Sequence, residues 1–360
     1  MQLKRLYFID AIRAFAILMM LQGHFIDTLL AIESRDANNL FYNTWTYFRG
    51  ITAPVFFTIS GLIFTYLLLK AKEKGTLNNR MRKGVIRGFM LIGIGYVLRI
   101  PILRWFTGSF GTYFMVIDVL QIIGLSLILI VGLYIICQKK TLLFSISVLC
   151  LGTLVFLSEP LYRTFTAEGI PLVFANYLTK VNGSVFTIVP WFGYIAYGAF
   201  IATLFYRYVF RPRFKLIIVT GFFTVGLGMV YASTSLLHWL AVTTDFTLFC
   251  DVANYNYLFI RLGNVLILFG LFFALESYLK HPVILKIGQK TLSIYVVHFI
   301  LLYGSFTGFG LNRIIGKNLS PSEAIIGAFS FLVIVSLISI YIIKANTQAI
   351  AKTCVLPPSS

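Results

Sequence analysis

The sequence predicts an all-α, polytopic integral membrane protein: a helix bundle of roughly ten membrane-spanning helices. Three observations carry this. The 360 residues are 59% hydrophobic and only 12% charged, with a mean hydropathy of +0.88. A soluble domain carries about twice that share of charge. Apolar runs of about 20 residues, long enough to cross a ~30 Å hydrocarbon layer, recur along the whole chain. The runs are continuous and not alternating, which excludes a transmembrane β-barrel.

In order, spans are expected near 8–32, 45–69, 84–103, 113–136, 141–158, 184–206, 216–238, 257–279, 289–305 and 323–343. The polar stretches 33–43, 70–87, 159–183, 238–256 and 313–322 read as loops. None is long enough to bury a core of its own, so residues 1–360 are expected to form a single transmembrane domain. The tail from Val355 reads as a disordered end.

The net charge is +18, and its placement matters more than its size. Lys4, Arg5, Arg13, the cluster from Lys70 to Arg87, Lys139, Lys140, Arg207, Arg211, Arg213, Lys215, Lys280, Lys286, Lys290, Lys344 and Lys352 all fall with the N-terminus. That is about 21 of the 30 Lys and Arg, which places both termini in the cytoplasm by the positive-inside rule. The expected location is therefore a multi-pass position in a bacterial inner (cell) membrane. Topology accounts for the charge without nucleic acid. Asp10 and Arg13 interrupt the first apolar run, so it is read as a retained span and not a cleaved signal. Cys137, Cys150, Cys250 and Cys354 have no paired spacing and suggest neither a disulfide nor a metal framework.

Ionisable groups inside a span are costly and mark candidate sites. The first span carries Asp10, Arg13, His24 and Asp27. Eleven residues separate Arg13 from His24, so they differ in azimuth by only about 20° and lie ~16 Å apart along one helical face. Asp10 neighbours Arg13 and Asp27 neighbours His24 at helical spacing. A carboxylate beside His24 can fix its tautomer, as a general base needs. The competing reading is a structural polar contact. In the ninth span Tyr295 and His298 share a face, with His298 at a depth comparable to His24. His298 either donates a hydrogen bond in the same cavity or makes an ordinary interhelical contact. Arg99, Asp118, Gln121, Arg261 and Asn264 read as structural pairs, Asp118 meeting Arg99 or Arg261. Ser60 beside Gly61 reads as a packing contact before it reads as a nucleophile.

The stretch Phe8–His24, with its Asp-x-x-Arg followed by His, resembles the first-span signature of the transmembrane acyltransferase superfamily. Ala53–Gly61, Asp118–Gly124 and Gly288–His298 resemble its later motifs, in the expected order. Pro54 and the Asp118–Gln121 segment lean toward the heparan-alpha-glucosaminide N-acetyltransferase-like branch, whereas His24 leans toward the acyltransferase-3 family. Heparan-type relatives carry a catalytic His in the loop after their first span, and this chain has none between Phe25 and Thr52. That departure moves the catalytic expectation onto His24.

The resemblance implies transfer of an acyl group, acetyl being the expected case, from cytoplasmic acyl-CoA as co-substrate to an extracytoplasmic sugar hydroxyl or amine. The acceptor would be a glycan or glycolipid. The implied catalytic residues are His24, Asp27 and His298. Arg13, with Arg80, Arg82, Lys83 and Arg87 from the basic stretch, is expected to bind the donor, whose phosphates such a stretch attracts. Membrane lipids are the other expected partners, and the oligomeric state is left open, a homodimer included. The competing class is a transporter or flippase using His24, Asp27 and Asp118 for ion or proton coupling.

Overall fold

The computed structural model describes residues 6–108 and 110–342. Lys4, Arg5, Lys344, Lys352, Cys354 and the tail from Val355 lie outside them. Among the described residues the regular structure is helical, and β pairing is limited to one isolated bridge between Leu30 and Leu319. The main helices are α1 (Tyr7–Leu29), α2 (Leu40–Glu73), α3 (Leu77–Val97), α4 (Val119–Ile136), α5 (Thr141–Leu157) and α6 (Ile188–Tyr208). Then follow α7 (Phe214–Thr244), α8 (Tyr257–Ala274), α9 (Pro282–Gln289), α10 (Thr291–Tyr303) and α11 (Pro321–Leu337).

Each expected span falls on a helix. Among the described residues seven helices are long and apolar enough to cross a membrane, or eight if α9 and α10 form one bent span. The expected number of about ten is not reached by that measure. The charged first turns of α3 and the 17 residues of α5 account for the other two places.

Four expectations are corrected. The ninth span is broken at Lys290, with α9 and α10 meeting at 70°. The basic 70–87 stretch is not a loop, because α2 runs to Glu73 and α3 begins at Leu77. Lys and Arg are good helix formers, so the helix outlasts the apolar run. The 238–256 stretch is not all loop either, because α7 continues to Thr244 and Thr247–Asn254 is again helical. The 159–183 stretch likewise holds two short helices, Glu159–Arg163 and Leu172–Leu178.

The chain forms two compact units. In one, residues 53–100 and 110–276, helices approach at glycine. A Cβ on Gly88 of α3 would press on the carbonyl of Gly124 in α4, and one on Gly226 of α7 on that of Gly263 in α8. Between membrane helices packing replaces water exclusion as the driving force, so small residues at crossings matter. Asp118 caps α4, accepting from the Val119 N–H at 2.7 Å, while Gln121 Oε1 accepts from the Asp118 N–H. Arg99 completes the cluster with an ion pair to Asp118 at 2.6 Å, one of the two partners, Arg99 or Arg261, expected from sequence.

The other unit combines the chain up to Thr52, the 101–108 segment and the chain from Ser277 on. Its axis is α1, which buries Phe8, Ile12, Ile17, Leu21 and Leu29 completely. At one end Gly288 of α9 lies against the backbone of Asp10, so closely that any Cβ would collide with the Asp10 carbonyl. Towards the other end Phe25 packs on Phe331 of α11, ring centroids 5.3 Å apart, and Gly327 leaves room for the Phe25 ring. Beyond Leu29 the backbone turns extended. Arg35 then reaches back to the carbonyls of Asp27 and Leu30, each at 2.8 Å, satisfying acceptors that a helix C-terminus leaves open.

Candidate active site

Helix α1 carries His24 half-buried on its C-terminal half, and α10 brings two side chains to it. Tyr303, the last residue of α10, sets its hydroxyl 3.0 Å from His24 Nδ1. The Thr28 hydroxyl, one turn along α1, donates to the same Tyr303 oxygen at 3.5 Å. Gly304 follows in the left-handed conformation (φ +66°) and ends the helix there, a step that glycine takes without steric cost. When His24 donates its Nδ1–H to Tyr303, the lone pair that can accept a proton is the one on Nε2.

His298 is 0% exposed and sits edge-on to His24, ring centroids 5.3 Å apart. Tyr295 (4.9 Å) and Phe299 (6.0 Å) pack around it. The carbonyls of Ile294 and Tyr295 lie nearby on its own helix, but neither ring nitrogen completes a hydrogen bond among the described residues. His298 thus meets His24 ring to ring and makes no interhelical hydrogen bond among the described residues.

At the opposite end of the same unit, Arg13 donates to the Thr291 hydroxyl at 2.7 Å and lies 3.9 Å from Asp10. Gln289 donates to Asp10 at 3.5 Å. Thus the break between α9 and α10 wraps the Arg13 end of α1, and the end of α10 meets His24. Both ends of the predicted Arg13–His24 face contact the same bent pair of helices.

The Asp27 carboxylate forms an ion pair with Arg49 of α2, and Tyr303 takes the place beside His24 that Asp27 was expected to fill. The stem of Arg49 lies across α1 at Gly23, where an added Cβ would meet Arg49 Cγ at 3.4 Å. One turn before Arg49, Trp45 donates its indole N–H to Gln22 at 2.8 Å. Arg80, Arg82, Lys83 and Arg87 belong to the other unit, on the first turns of α3, with Arg80 partly buried and the other three exposed. Ser60 donates to the Phe56 carbonyl of its own helix at 2.7 Å, as a packing residue does. Cys137, Cys150 and Cys250 are free thiols.

Residues 5–244, two thirds of the chain, match the family model described as heparan-alpha-glucosaminide N-acetyltransferase, catalytic. The chain belongs to this family. No curated protein matches it. As a member it is a multi-pass membrane enzyme of the acetyltransferase kind, using an acetyl donor. The match takes in α1 with Arg13 and His24, and stops before α10. Tyr303 and His298 are thus contributed by chain beyond the matched segment, and Tyr303 is the site residue that sequence reasoning missed. Its signal was present in retrospect: a Tyr-Gly pair ending the span that carries His298.

Proposed function

We propose that the protein transfers an acetyl group from cytoplasmic acetyl-CoA to a sugar hydroxyl or amine on the far side of the membrane. The observation that carries this reading is the pairing of His24 with Tyr303 at 3.0 Å, on the helical face that also holds Arg13. Arg13 stands at the donor end, its guanidinium set by Thr291 and Asp10. The first turns of α3, in the other unit, carry cations of the kind that attract phosphates. His24 Nε2 takes the proton as the acceptor oxygen or nitrogen attacks the acetyl carbonyl carbon. The C–S bond then breaks, and the departing thiolate takes the proton from His24. Tyr303 orients the imidazole and selects its tautomer, the role the sequence suggested for Asp27. A glycan or glycolipid acceptor fits a family described by its action on a glucosaminide.

Such a reaction places the N-terminus and both donor-binding segments on the cytoplasmic side of a cell membrane, as the distribution of Lys and Arg suggests. The test is sided transfer in proteoliposomes of known orientation. With labelled acetyl-CoA offered only on the N-terminal side and glucosaminides only on the other, acetylated sugar should accumulate opposite the donor. Coupled ion or solute flux with no acetylated product would overturn the proposal in favour of transport.

A further inference from the structure

The His24 pair has an unused half. His298 is fully buried, lies edge-on to His24 and has no hydrogen-bond partner for either ring nitrogen among the described residues. Leaving a buried polar atom unpaired costs about 1–3 kcal/mol. A membrane helix has inexpensive alternatives at such a place, since Leu or Phe would fill the same volume without a polar atom. The rings of Tyr295 and Phe299 pack against the imidazole, and the polar groups near it on its own helix are the carbonyls of Ile294 and Tyr295. Whatever its protonation state, an imidazole carries at least one N–H, so His298 always has a donor to offer.

We infer that His298 is a catalytic residue that donates a hydrogen bond to the acetyl carbonyl oxygen. This rests on the acetyl-transfer reading above. As the acceptor attacks the carbonyl carbon, the π electrons of C=O move onto oxygen. The developing oxyanion meets the His298 N–H. When the C–S bond breaks, the same electron pair re-forms C=O and the hydrogen bond relaxes. No proton leaves His298, and the proton removed from the acceptor travels through His24 to sulfur. The two imidazoles therefore divide the chemistry, with His24 exchanging a proton and His298 holding charge. A fixed donor in a water-poor site acts on the developing charge with little reorganisation, and removing one such donor typically costs about 10²–10³ in kcat.

Two measurements separate this role from packing. In purified protein, His298→Leu should lower kcat by about 10²–10³ while both KM values stay within about threefold. His298→Asn, which restores an N–H in less space, should recover at least about tenfold of that loss. The second readout needs no turnover. An acetyl-CoA analogue with methylene in place of the thioester sulfur, carbonyl-labelled with 13C, should show a C=O infrared band shifted to lower frequency in the wild type. That shift should vanish in His298→Leu and persist in His24→Ala. Binding of the analogue with an unshifted band, or equal kcat for the Leu and Asn variants, would overturn the role of His298. Failure of the wild type to bind the analogue at all would instead sink the acetyl-CoA reading on which it rests.

Discussion

Two buried polar clusters, one in each unit, put their charges to opposite use. Arg99 and Asp118 meet at 2.6 Å, with Gln121 and the Val119 N–H completing a cap on α4. Opposite charges cancel there, and the hydrogen-bonding capacity of Asp118 is taken up locally. His24, Tyr303 and His298 form a cluster of rings, in which the His298 nitrogens complete no hydrogen bond among the described residues. A helix in lipid tolerates either arrangement only for a reason. Self-satisfied charge holds helices in place, whereas unsatisfied polarity beside a half-buried imidazole awaits something from outside the chain.

The comparison breaks most easily at His24. His24→Ala should lower acetyl transfer by about 10²–10⁴ while leaving the thermal unfolding midpoint in detergent almost unchanged. A variant that still transfers near the wild-type rate would remove the catalytic half of the contrast. The opposite outcome is expected for Arg99→Ala, which strands a buried carboxylate and should destabilise the protein by about 3–5 kcal/mol. Activity per folded molecule should stay within about threefold of wild type if Arg99 is purely structural. Denaturant titration paired with active-fraction counting reads both quantities.

How far these clusters could be read in the sequence depends on how local their causes are. The helices themselves were legible from hydropathy, and Asp118 needed a cation at similar depth, which left two choices. The Arg13–His24 face followed from helix geometry alone. The partner of His24 was not legible, because the sequence offers a neighbour three residues away in Asp27 and the fold supplies Tyr303 from 279 residues away. Asp27 meanwhile is taken by Arg49, which reaches it only because Gly23 lets the arginine stem cross α1. The break at Lys290 was missed for a related reason. It follows from a backbone contact between Gly288 and Asp10 that no local periodicity records.

Smaller effects sharpen the picture. Tyr303→Phe removes one hydrogen bond from His24 without emptying space, so a loss of about 1 kcal/mol, or five- to tenfold in kcat, is expected. The pH–rate profile should move with it, since the hydroxyl acts on the titrating ring; a lower rate with an unmoved profile would reduce Tyr303 to a packing residue. Smallest of all, Ser60→Ala should change both transfer and stability within about 0.5 kcal/mol. A large loss there would mean that a second nucleophile has been overlooked.

The threading of α1 between distant parts of the chain has a consequence in time. Its His24 emerges early in synthesis, but Thr291, His298 and Tyr303 follow some 280 residues later. At about 5–20 residues per second, α1 waits on the order of 15–60 s before the partners of its polar face exist. During that interval the first helix must keep Asp10, Arg13, His24 and Asp27 in the bilayer or at its edge without them. Ribosome arrest between residues 244 and 291 should therefore leave α1 accessible to crosslinking from the insertion machinery, and release should follow once α10 has emerged.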